Sequence, residues 1–491
     1  MATDDDVTYD YGVPAHRAVF LGLGIERIGI IAGGLLLMTF AVIAGVPIPV
    51  AIFPVLVAIA IAFVRIKGRR LQEWAPVLVS FARATLSGGR SWKRGLPVGR
   101  LASSLSSSQL DGPEKMAETY PLVPGATFTE TRILGMPLGV VAVDSRRGAR
   151  SLTAVFSVTG HSTFALLPRD EQAAAIAAWG SLLSETCVRS AQITSIEWVE
   201  RTVPDLASEA EQWMRAHLAP SALGTAGLDD YAALLDDVES VACTHEVYVS
   251  VQITSKLAEI PEAMAEAAPQ WVSIANRLSA LGLVTRPLSQ SDVKALLQAS
   301  ADGIGFHPGD VRNVDPSPMA IDEQWDYLRV DGLFHRVFAV TAWPRVRVWP
   351  SFLEPLLLAS SAGSLRTVSV HLHPVEPETA RRRARAAVAM TALDEQSRHK
   401  AGFVISSQHR READDAERRE AELVAGYGEH QIGAVTMVSA PTKELLEAGS
   451  RALVQGAVQS MLDLRVLYGS QRDGYVAALP LAHLGFARTV V

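Results

Sequence analysis

Two histidines stand on alternate positions of a strand-like run, His371 and His373 in LRTVSVHLHP, with Glu376 three residues beyond. Alternate strand residues project to one face, so two imidazoles could share a metal ion there. The competing reading is a solvated strand end, because Pro374 stops the strand where the ligands would converge. Arg381-Arg382-Arg383-Ala384-Arg385 could hold phosphate or nucleic acid, or form the solvated face of a helix opposite the acids that follow. The run Arg410 to Glu422 alternates in sign and offers many i,i+4 pairs. It suits an exposed helix, a helical-hairpin arm or a partner-docking coil.

Other chemistry is missing from the sequence. It contains no G-x-x-x-x-G-K-[ST] loop to cradle phosphates, and no H-E-x-x-H, G-x-S-x-G or C-x-x-C. Gly22 to Arg27, GLGIER, lacks the third glycine of a dinucleotide loop and precedes an apolar run instead of following a strand. Cys187 and Cys243 read as reduced core residues. No catalytic residue, cofactor or metal site is assigned on these grounds.

Alternating strands and helices must position whatever chemistry there is. From Pro121 onward, Arg132 to Asp144 and Ser151 to Thr159 read as strands, Pro168 to Gln192 as a helix, and Ile193 to Thr202 as a strand. Asp205 to Leu218 and Leu228 to Val241 read as helices, Glu246 to Ile253 as a strand, and Pro261 to Leu283 and Ser289 to Ala299 as helices. A second half starts near Trp325. It has strands at Leu333 to Trp343 and Leu365 to Leu372, a short helix at Pro350 to Ala359 between them, and a charged helical stretch from Pro377 to Gly426 broken around Gly402 to Ser407. A strand at Ile432 to Ser439, a helix at Thr442 to Met461 and a strand at Leu464 to Tyr468 complete it. The two halves share an element order that suits split βαβ modules, an antiparallel sheet with helices on one face.

Ahead of this body, Ile28 to Val64 runs for 37 residues without a charge. A bilayer core takes about 20 helical residues, and Val46-Pro47-Ile48-Pro49 would break the run in two. The expectation is a transmembrane helical hairpin, with Ile28, Gly33, Gly34, Pro47, Pro49 and Val64 facing the membrane. Gly33 and Gly34 would be close-contact points. Nine basic residues between Arg65 and Arg100 against one acid, Glu73, place both termini on the cytoplasmic side. Arg65, Lys67, Arg69 and Arg70 then meet lipid headgroups and Trp74 sits at the membrane boundary, on an elbow helix from Leu71 to Leu86. Ser87 to Ala117 reads as a linker. The full 491 residues carry a net charge of −7 and a mean hydropathy of +0.18, which implies an acidic body and gives no sign of nucleic-acid binding.

Phe352 to Leu481 resembles the N-terminal, non-motor domain of the transfer ATPase of type IV secretion and conjugation systems. The resemblance lies in FLEPLLL, LRTVSVHLHPVEP followed by a basic run, RREAELVAGYGEHQIG and GSQRDGYVAALPL. Thr186 to Leu206 and His245 to Ser250 extend it to roughly residues 120 to 485. The apolar hairpin followed by EWAP resembles the small two-span inner-membrane subunit of the same machines, including its PrgI-like form. Together they imply an actinobacterial conjugation protein in which the two are joined. No Walker motif is present, so the resemblance implies a non-enzymatic inner-membrane scaffold with the motor as a separate protein.

The expected architecture is thus α+β. Residues 1–27 form a cytoplasmic segment, 28–64 the hairpin, 65–120 a basic elbow and linker, and 121–310 and 311–491 two α+β halves. The expected partners are the membrane, a separate secretion ATPase, other inner-membrane channel subunits and further copies in an oligomer, with nucleic acid left open. Alternatives are the E-type membrane subunit of a type VII system, a membrane-tethered enzyme using His371 or His373, and a nucleic-acid guide built on the Arg381 cluster.

Overall fold

The computed structural model describes residues 25–94, 120–144, 148–160, 167–188, 192–204, 243–306, 315–359, 363–400 and 407–483, with scattered positions between 214 and 233. The segment 1–24 and most of the helices expected over 205–218 and 228–241 lie outside these residues.

The apolar N-terminal run folds as α1 (Ile25–Ile43), α2 (Ile48–Ala51) and α3 (Phe53–Phe63). The turn after α1 needs a left-handed residue, supplied by Gly45 at φ +80°. Pro47 and Pro49 then preset the first turn of α2. Gly34 packs against α3 so closely that a methyl there would lie 2.6 Å from Ala58 Cβ, whereas Gly33 faces open space.

No helix among the described residues is long and apolar enough to cross a membrane. This corrects the expected transmembrane hairpin and, with it, the multi-pass inner-membrane location. The reason is length: α1 spends its first turn on Glu26 and Arg27, so its uncharged part rises only about 24 Å, and α3 only about 16 Å, against a hydrocarbon core of about 30 Å.

The basic residues after α3 turn back onto the protein. β1 (Arg65–Ile66) and β2 (Arg69–Arg70) form a two-stranded hairpin through Lys67 and Gly68, both at positive φ. α4 (Leu71–Leu86) follows, opened by a capping box between Arg70 and Glu73. Trp74 is buried, donates from Nε1 to Ile66 O, and stacks on Trp325 at 5.7 Å. Lys67 lies over the Tyr468 ring at 4.1 Å, and Arg69 is buried over Trp74. Phe81 meets Trp325 edge-on at 4.9 Å. The tryptophan expected at a membrane boundary is thus enclosed by protein. β3 (Ser91–Lys93), inside the stretch expected as a linker, pairs with Ala320–Asp322 of the main sheet.

That main sheet is antiparallel, and the body is α+β. Its first half comprises β4 (Ala126–Ile133), β5 (Met136–Asp144), β6 (Arg150–Gly160), α5 (Arg169–Thr186), β7 (Ile193–Pro204), β8 (Cys243–Ser255), α6 (Ile260–Ala280), β9 (Leu283–Pro287) and α7 (Gln290–Asp302). The second comprises β10 (Ala320–Glu323), β11 (Leu328–Val330), β12 (Leu333–Ala342), α8 (Glu354–Leu357), β13 (Leu365–Pro374), α9 (Pro377–Lys400), α10 (Ser407–Val424), β14 (His430–Ala440), α11 (Lys443–Gln459), β15 (Asp463–Val466) and α12 (Gln471–Ala478). The strand order is β3-β10-β11-β12-β14-β13-β7-β8-β6-β5-β4, with β9 also on β6 and β15 also on β12. The halves therefore follow one plan. β5 and β9 share one edge of β6 as β11 and β15 share one edge of β12, and the equivalent strands β7 and β13 pair antiparallel at the centre.

Strand alternation sends side chains to two apolar layers. On one face, Leu152, Phe156, Ile253 and Val368 lie beneath α5, α6, α8 and α11, with Trp271 of α6 fully buried and donating to Val251 O. On the other, Val199, Tyr248, Val337 and Met437 lie beneath α7 and α12. Gly139 lets α7 approach the sheet: a Cβ there would sit 2.6 Å from Gln290 N.

Candidate functional site

The densest polar chemistry lies where β7 and β13 join the two halves. Their register sets His371 opposite Glu197, Thr367 opposite Arg201, and Val368 opposite Glu200. Glu197, Arg201, Ser369 and His371 face α12, while Glu200, Thr202 and Arg366 face the other layer. Most of these groups are buried in an otherwise apolar sheet, so each must find a partner.

On the α12 face, Ser369 Oγ lies 2.7 Å from Glu197 Oε1 and 2.9 Å from His371 Nε2, and Glu197 Oε2 accepts from the Ala482 amide at 2.6 Å. His371 Nε2 is also 2.8 Å from Ala477 O. A carbonyl only accepts, so Nε2 carries the proton. Burial pushes Glu197 up to about 8 and His371 down to about 3. At neutral pH both groups are uncharged. Beside them Arg201 donates to Glu246 at 2.8 Å and to Ile304 O at 3.0 Å.

On the other face Arg366 donates to Glu200, Thr202, Leu357 O and Ala359 O, and Glu200 also meets His245 at 2.6 Å. Burial lowers the Arg366 pKa while Glu200 opposes the shift.

Ser369, His371 and Glu197 have the composition of a hydrolytic triad without its geometry. A nucleophilic serine needs a base free to take its proton. Here the nearest imidazole nitrogen is already protonated, and Glu197 holds its own proton at pH 7. All three residues are fully buried, Glu197, Ser369 and His371 each at 0% exposure. The adjoining void, lined by Arg201, Ser300, Thr367, Met437, Ser439 and Leu479, measures about 10 Å³, room for one water and no substrate. The seam is a polar core that fastens the halves together.

The remaining sequence candidates separate in space. His371 is inside the seam, whereas His373 bonds to Thr194 O at 3.0 Å. No group of three or more His, Cys, Asp or Glu among the described residues is placed to hold a metal. Arg381, Arg382, Arg383 and Arg385 lie exposed on α9, where Arg382 meets Thr379 and Arg385 lies 3.8 Å from Glu420. Cys187 is buried 3.5 Å from His430, and burial raises its pKa, the opposite of an activated thiolate; Cys243 is exposed.

Sequence reasoning missed Glu197, Glu200 and Arg366. The available signal was ITSIEWVERT itself, in which charges occur on both faces of a strand. No family model and no curated protein matches the chain.

Proposed function

We propose that the chain is a non-enzymatic scaffold of a type IV-like secretion or conjugation machine, docking a separate transfer ATPase. The observation that carries this reading is the division of labour between inside and outside. The groups that resemble an active site are locked in the seam, whereas a two-helix arm, α9–α10, is inserted between β13 and β14 and offers long exposed faces. The resemblance of residues 120 to 485 to the non-motor domain of the transfer ATPase supports the identity of the partner. A tagged chain purified from its native cells is expected to carry an ATPase with it, and on its own to release no phosphate from Mg-ATP. Hydrolysis by the purified chain would overturn the reading.

A further inference from the structure

α9 and α10 form a hairpin whose base is closed by Val375, Ala380, Ala384 and Leu423. The inward face of α9 continues through Ala387, Val388 and Thr391, each half-buried. At 100° per residue the opposite face carries Arg382, Ala386, Ala389 and Leu393, with Met390 at its margin. These positions are exposed, Met390 at 44% and Leu393 at 58%. The result is an apolar stripe with small residues at its centre on an otherwise charged arm, facing away from the fold that could bury it.

We propose that a second copy of this chain covers the stripe, the two α9 helices packing antiparallel about a two-fold axis near Ala389. The stripe is self-complementary only in that direction. Leu393 at one end then falls over the notch left by Ala386 of the partner helix, while the alanines at the axis allow close approach. On the flank, a two-fold between positions 388 and 389 sets exposed Arg383 against Asp394 of the other copy. A parallel pairing would instead place the Arg381 to Arg385 cluster against its own copy, like charge on like. The stripe from Arg382 to Gln396 is only about 21 Å long, short of the roughly 800 Å² per partner of a standard interface. The contact is therefore weak by itself and serves to register copies gathered in a larger assembly. It does not depend on the ATPase reading.

Cross-linking of the full chain tests it. In a Cys243→Ser background, Ala389→Cys is expected to give a covalent dimer with a short bismaleimide, and Ala421→Cys on the outer face of α10 is not. Adding Met390→Glu and Leu393→Glu to Ala389→Cys is expected to abolish the dimer while the circular dichroism spectrum stays unchanged, since both side chains are exposed. No dimer at 389, equal yields at 389 and 421, or capture at 389 of a different protein from extract would each overturn the proposal.

Discussion

Replacing Glu197 by Gln tests the seam most directly, because the amide imitates the protonated carboxyl. Its oxygen can still accept from the Ala482 amide, and its NH₂ can face Ser369 Oγ. Burial raises Glu197 from the ordinary 4.5 to about 8, so the native state holds the proton more tightly than the unfolded chain does. This stabilisation is complete below pH 4.5 and is lost as pH rises toward 8. The slope is about 1.4 kcal/mol per pH unit. Between pH 6.5 and 8.5 the wild type is expected to lose about 2 kcal/mol from this group alone. His371 and His335, both held near 3 by burial, act on the other side: they stay neutral when folded and cost stability only as pH falls below 6.5. Urea unfolding followed by tryptophan fluorescence, run in parallel on both proteins, isolates the residue. The stability of Glu197→Gln relative to wild type should rise by about 2 kcal/mol across that window. A difference constant to within about 0.5 kcal/mol would show that Glu197 is ionised or solvated in the folded protein.

Gly34→Ala should cost about 1–3 kcal/mol by forcing α1 away from Ala58, whereas Gly33→Ala, with open space beside it, should be neutral or stabilise α1 by up to about 1 kcal/mol; helix content on heating reads both, and equal effects would refute the packing of α1 on α3. Trp325→Ala removes the ring shared by Trp74, Phe81 and Tyr468, at about 3–5 kcal/mol, and should release α4 from the body. Tryptic cleavage at Arg90 and Lys93 should then accelerate, and unchanged cleavage would mean that β3 pairing alone holds the elbow.

Periodicity made the strands of the body legible because each alternates toward two apolar layers: Leu333 to Trp343 was expected and β12 spans Leu333–Ala342, while Leu365 to Leu372 was expected and β13 runs to Pro374. One expected strand, Arg132 to Asp144, is two. Leu134 and Gly135 make the turn at φ +49° and +78°, and an apolar residue in a left-handed position hides the turn from composition. The short β10, β11 and β9 leave little period to read, and α12 was taken as tail because its buried face answers a distant sheet. The two larger misreadings have separate causes. A charge-free run announces apolar surroundings, but Gly45, Pro47 and the break at Ile52 cut it into helices too short for a bilayer. Trp74 beside basic residues looks alike whether its ring meets lipid or Trp325, and the partner that decides lies 251 positions away, the difference between 325 and 74.

The seam had no local signature for a related reason, and the same reason explains why it is polar. Without each other, β7 and β13 would be long edge strands with open hydrogen-bonding groups, able to pair with any extended chain. Backbone bonds alone would not choose a register, since a shift of two residues keeps every side chain on its face. Side chains supply the choice. In the observed register Arg366 reaches Glu200 and Thr202, and His371 lies opposite Glu197 near Ser369. A two-residue slip would carry the Arg366 guanidinium away from Glu200 and leave two buried charges without partners, a loss of several kcal/mol that no apolar contact along the strands offsets. Glutamate and arginine in the middle of a buried strand thus act as the key that joins these two halves in one alignment. That role accounts for groups with the chemistry of a catalytic site being sealed from solvent and from substrate.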